Sequence, residues 1–282
     1  MKSAIAKAWI LVAVLSIISL GGSRGALCQQ EMHPDPAVST PAALPDAPAP
    51  TATPDANSGS DKPVTVKGSI MRGLHDEVAV LTSPARFQVR DLRWFVPLTA
   101  ATATAFVTDE KTMQEVVTSN PSFNQRAIDV SNGMVGGVIA MPVALFAAGS
   151  LRHDDHARET GILGSQAMVN AFLVGELVKL VSFRERPNVD NGEGRFFVGS
   201  SGANSSFVSE HSLIAWSSAA VVAGEYKSPW VQAGVYSLAT GVSVTRVLGR
   251  EHFPSDVLLG SAAGWLIGHY VYKVHHHWHR AE

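Results

Sequence analysis

Beyond Trp94 the chain falls into apolar stretches divided by short polar turns, at about 95–107, 133–151, 165–183, 212–226, 230–248 and 256–274. None alternates with period two. Ala, Leu, Gly and Val dominate over lengths greater than an ordinary strand, which predicts six helices packed as an all-α bundle. Upstream the pattern changes. Residues 67–93 mix apolar positions (Ile70, Met71, Leu74, Val78, Val80, Leu81) with charges up to and beyond Pro84, and predict an amphipathic segment lying on the bundle or on a membrane surface.

Helix length bears on what surrounds the bundle. Residues 133–151 hold no charge, and at ~1.5 Å per residue they reach roughly 28 Å, close to the hydrocarbon thickness of a bilayer. The uncharged stretches 212–224, 230–245 and 257–272 are shorter and suit a buried helix of a soluble bundle equally well. Trp94, Tyr226, Trp230, Tyr270, Tyr272 and Trp278 fall near segment ends, where interfacial anchors sit. The expectation is a membrane-embedded six-helix bundle, with a soluble bundle as the alternative.

Composition adds two further segments. Lys2 and Lys7 precede an apolar core from Ala8 to Leu20, followed by Gly21, Gly22, Ser23 and Gly25, the layout of a signal peptide over 1–28. Leu27, directly before Cys28, argues against lipidation of that cysteine. Residues 29–66 carry eight prolines, many alanines and no aromatic, too little to bury against the entropy of ordering, and read as a disordered linker. The expected division is then a folded domain over 94–276 and a polar tail over 277–282. Cys28 is the only cysteine, which excludes an intrachain disulfide. A formal net charge of -2 with no basic, aromatic-interleaved run excludes a nucleic-acid partner.

Three polar clusters lie at helix ends, and each alone has an ordinary explanation. In KLVSFRERP, Lys179 and Arg186 are cations at the negative end of a helix dipole. In SFVSEHS, Ser209 and His211 open the next helix as an N-cap would. In TRVLGREHFPSD, Arg246, His252 and Asp256 occupy a turn between two apolar segments. Together, Lys179-x6-Arg186-Pro187, Ser209-x-His211 and Arg246-x5-His252-x3-Asp256 resemble the three signatures of the type 2 phosphatidic acid phosphatase superfamily, which includes bacterial acid phosphatases and vanadium haloperoxidases. The resemblance runs over about 90–275, with the signatures in the order and helical context of that family.

That resemblance implies a phosphatase working without a metal or other cofactor. Lys179, Arg186, Arg246, Ser209 and the backbone of Glu210 would bind phosphate. His252 would be the nucleophile forming a phosphohistidine, Asp256 would hold its other ring nitrogen, and His211 would serve as general acid. The cations suit the task physically: two planar guanidiniums and an ammonium stabilise charge on the equatorial phosphoryl oxygens. The second signature departs from Pro-Ser-Gly-His, reading Val208-Ser209-Glu210-His211, and the Glu210 carboxylate is expected to point away from an anion it would repel.

The implied substrate is a lipid-linked phosphate monoester or pyrophosphate at a site facing the periplasm or exterior. A soluble periplasmic phosphatase for small phosphomonoesters, a haloperoxidase and an inactive scaffold are the alternatives. RHDDH (Arg152–His156) is expected to be a solvated connection, and the histidines at 275–277 and 279 a weak metal-binding tail.

Overall fold

The computed structural model describes residues 92–189, 192–198 and 205–276. Within them the protein is all-helical. The signal peptide, the linker and residues 67–91 of the amphipathic segment lie outside the described residues, as does the tail at 277–282. Six α-helices follow in order: α1 (Leu92–Lys111), α2 (Pro121–Arg152), α3 (Asp155–Ser182), α4 (Glu210–Glu225), α5 (Pro229–Leu248) and α6 (Pro254–His275). A single π-helical turn, Thr112–Val116, extends α1.

Two helices begin earlier than the apolar pattern predicts. α2 starts at Pro121 rather than 133, with Asn120 accepting the backbone N–H groups of Ser122 and Phe123. Its first turns bury small and polar residues, Asn124, Ala127 and Ser131, on the inward face. Asn124 donates to the carbonyls of Thr118 (3.0 Å) and Leu248 (2.6 Å), which satisfies it without an apolar signal. α3 likewise starts at Asp155, capped by Asp154.

α4 occupies the centre, contacting α2, α3, α5 and α6, while α1 lies against α6. It carries Ala and Ser on nearly every side and is buried almost throughout, as a core helix apolar all round must be. Its contact with α6 is made backbone to backbone. A Cβ at Gly260, Gly264 or Gly268 of α6 would come within 2.7, 2.3 and 2.1 Å of the carbonyl oxygens of Ser209, Leu213 and Ser217 on α4. Both sets repeat every four residues, so one glycine ridge seats one helix on another, as small residues do where helices approach closely.

The antiparallel order of α3 to α6 brings the end of α3, the start of α4, the end of α5 and the start of α6 to one end of the bundle. All three polar clusters are there. α2 and α3 are long and apolar enough to cross a membrane, and only 17% of the most apolar stretch of α2 is buried. Val130, Ile139 and Val143 of α2, and Phe172, Leu177 and Leu180 of α3, remain exposed.

The glycine ridge makes a specific demand. Gly264→Val is expected to cost at least about 2 kcal/mol, because overpacking against a main chain cannot be relieved by a rotamer change. Thermal unfolding should show a substantially lower midpoint than for Ala263→Val, a partly buried position outside the ridge.

Candidate active site

Lys179 lies in the last turn of α3 with only 4% of its surface exposed. Its Nζ bonds Glu176 Oε1 at 2.9 Å and makes a second, closer contact with Glu210 Oε2. The Glu210 carboxylate therefore turns toward a site cation, contrary to the sequence expectation, because a buried ammonium needs a counter-charge. Arg186 follows α3 and pairs with Glu251 Oε2, which also accepts from Arg246 Nη2 at 3.3 Å. Glu251 lies inside the third signature and was not singled out from sequence. Its carboxylate bridges the two guanidiniums.

Arg246, at the end of α5, is 5% exposed. Its Nη1 lies 3.4 Å from Asn132 Oδ1 on α2, and the same oxygen is 3.3 Å from His211 Nε2. Asn132 thus ties the first turn of α4 to the end of α5. The Nε of Arg246 is buried with no hydrogen-bond partner among the described residues. Ser209 sits at the N-cap position of α4 without a side-chain capping bond; its Oγ accepts from Ser212 Oγ at 3.2 Å and its N–H donates to the carbonyl of Asp256 at 3.2 Å.

Burial, then Arg246, Lys179 and Arg186, hold the His211 imidazole down at about 4. All three signature cations are therefore close enough to act on one ring. His252 is 2% exposed, and burial followed by Arg246 and Arg186 depresses it well below the ordinary histidine value. Its Nδ1 lies 2.7 Å from the carbonyl oxygen of Ser206. A carbonyl can only accept, so Nδ1 carries the proton and Nε2 keeps its lone pair.

Asp256 does not make that contact. Its nearer oxygen is 3.9 Å from His252 Nδ1 and instead accepts from Ser206 Oγ (3.0 Å) and from the N–H of Phe253 (2.8 Å) at the start of α6. Its other oxygen pairs with Arg184 Nη1. The preference for Ser206 over Asp256 follows from Arg184, which draws the carboxylate into its own network.

Arg184, two residues before Arg186, is another residue that sequence reasoning missed. It is fully buried. Besides Asp256 it bonds Asp109 Oδ2 (2.7 Å), Ser255 Oγ (2.8 Å) and the carbonyl of Gly194 (3.3 Å). Its guanidinium carbon lies 4.2, 4.9 and 5.1 Å from the ring centroids of Phe253, Phe196 and Phe106. Asp109 on α1 also accepts from the N–H of Ser255 at 3.1 Å. Sequence offered one hint, the second cation in RERP, but no sign that it faced inward.

The bundle thus gathers three cations and two imidazoles at one of its ends. Residues 161–280, somewhat less than half of the chain, match the family model of the PAP2 superfamily. A similar curated protein is the lipid A 1-phosphatase of Porphyromonas gingivalis, 27% identical over 188 residues. That alignment covers 65% of this chain and 38% of the relative, so the chain spans less than half of the relative's length. No solved structure matches.

Removing the Arg184 charge tests the network directly. Arg184→Met leaves Asp109 and Asp256 buried without their counter-ion, and unpaired buried charge costs about 3–5 kcal/mol. The expected result is a large fall in denaturation midpoint. The double variant Arg184→Met, Asp109→Asn should recover part of it.

Proposed function

We propose that the protein is a metal-independent phosphatase acting on a lipid-linked phosphate, monoester or pyrophosphate, through a phosphohistidine at His252. The observation that carries this reading is the Nε2 lone pair of His252, set by the Ser206 carbonyl beside the two guanidiniums of Arg186 and Arg246. In the first step Nε2 attacks phosphorus and the ester oxygen leaves, taking a proton from His211. In the second, water attacks the phosphohistidine, with His211 accepting the proton, and orthophosphate departs. Arg186, Arg246 and Lys179 stabilise the equatorial oxygens, and the N–H groups at the start of α4 add donors.

Glu210 and Glu251 hold the cations in place of an anion, and substrate phosphate exchanges with them. The exposed apolar sides of α2 and α3 favour a substrate whose hydrocarbon part stays in a bilayer, and a membrane location with the site at one face. The lipid A relative is consistent with this substrate class.

The test is phosphate release by the purified chain in detergent, without added divalent metal, from phosphorylated lipids and from water-soluble phosphomonoesters. Lipid substrates should give the higher kcat/KM; His252→Ala should abolish turnover, and His211→Ala should lower it by about 10²–10⁴-fold. Equal or better turnover of soluble esters would identify a small-molecule phosphatase instead, and activity surviving in His252→Ala would remove the covalent mechanism.

The pH dependence follows from the cations. Burial and then these cations hold His211 near 4 in the free protein, and a bound phosphoryl group offsets the cations and raises it. The alkaline limb of kcat, which reports the complex, should therefore lie at higher pH than that of kcat/KM, which reports the free protein. Superimposed limbs would take His211 out of the proton transfer.

A further inference from the structure

At the end of the bundle away from the phosphate site, the start of α3 meets the ends of α4 and α6. Fifteen residues separate Glu210 from Glu225 along α4, roughly 22 Å at ~1.5 Å per residue. Glu225 closes α4 with its carboxylate fully enclosed. One of its oxygens is 3.2 Å from His156 Nε2 on α3, and the other is 2.9 Å from His276 Nδ1 just after α6. Glu159, one turn beyond His156, brings a second carboxylate: oxygens of Glu159 and Glu225 and a ring nitrogen of His276 all lie within 4.8 Å of one another.

His156 is not part of a solvated connection, as RHDDH suggested. It lies in the first turn of α3, its ring 4.7 Å from that of Tyr226, while the His276 ring sits 4.8 Å from Tyr272. Lys227, the nearby cation, turns to the hydroxyl of Tyr272 at 3.2 Å instead of to Glu225.

Two carboxylates brought together out of water repel each other and are costly without compensating positive charge. Two imidazoles, one on each oxygen of the Glu225 carboxylate, complete a mixed nitrogen and oxygen set. That set suits a borderline divalent ion, whereas an all-oxygen cage would suit calcium or magnesium. We propose that His156, Glu159, Glu225 and His276 form a divalent-cation site, of a kind that takes Zn²⁺, which fastens α3, α4 and α6 together at the end of the bundle opposite the phosphate site. The metal replaces the His–Glu hydrogen bonds with coordinate bonds and takes no part in phosphate chemistry. The inference does not depend on the enzymatic reading.

The experiment uses the full chain, stripped with chelator and titrated with ZnCl₂, followed by calorimetry, native mass spectrometry and thermal unfolding. One tightly held Zn²⁺ per chain is expected, with a rise in unfolding midpoint that grows with free metal. His156→Ala, whose side chain is 19% exposed and whose loss the fold should tolerate, is expected to weaken binding at least tenfold. Glu225→Gln should do the same. The double variant His277→Ala, His279→Ala should keep both the affinity and the thermal shift. Absence of a shift in the parent chain would overturn the proposal and leave a hydrogen-bonded His–Glu cluster. A shift that persists in His156→Ala and Glu225→Gln but disappears in the tail variant would overturn it too, assigning the metal to the terminal histidines alone.

Discussion

The end of the bundle that gathers the three signature clusters is organised around a guanidinium that never meets water. Arg184 reaches from the segment after α3 into a chamber walled by three phenylalanine rings, and the cost of enclosing its charge is offset only if Asp109 of α1 and Asp256 of α6 both arrive. Such a group stabilises little in net terms, yet it discriminates strongly, because any arrangement that separates the three leaves ions stranded in a poor dielectric. Three elements distant in sequence are thereby fixed at one point. Arg186 is two residues away and His252 four residues before Asp256, so the same constraint positions the groups proposed to react.

Around that fixed point the charges form two shells. The inner one is neutralised internally, Arg184 by two aspartates. The outer one, Lys179, Arg186 and Arg246, is met by Glu176, Glu210 and Glu251, acidic side chains at its rim that are partly open to solvent. The inner pairs are closed to solvent, whereas the outer carboxylates stand where the phosphate proposed above would compete for the cations.

Much of this was legible in the sequence. Six helices and the three signature clusters could be placed because helix period and spacing are local properties, and the family resemblance drew on them. What stayed hidden was orientation. Arg184 and Arg186 look alike in RERP, and nothing local says that one is enclosed by aromatics while the other faces solvent. The family resemblance implied a direct bond between His252 and Asp256, whereas Arg184 and Ser206 claim the aspartate. Glu210 was expected to avoid the phosphate site because a carboxylate repels phosphate, but its contact with Lys179 decides its position. The early starts of α2 and α3 were missed since their inward faces are small and polar. The glycines at 260, 264 and 268 carried a readable signal of close helix approach that apolar periodicity passes over.

The acceptor that orients His252 is a main-chain carbonyl. An amide oxygen has no proton to gain in ordinary acid, so the contact fixing the direction of the imidazole is indifferent to acidification, unlike one made by a carboxylate. Aim and protonation are thus governed by different influences: the backbone at Ser206 sets where the ring points, while burial and then the surrounding cations set when it is charged. Acidification can charge the ring without disturbing its alignment.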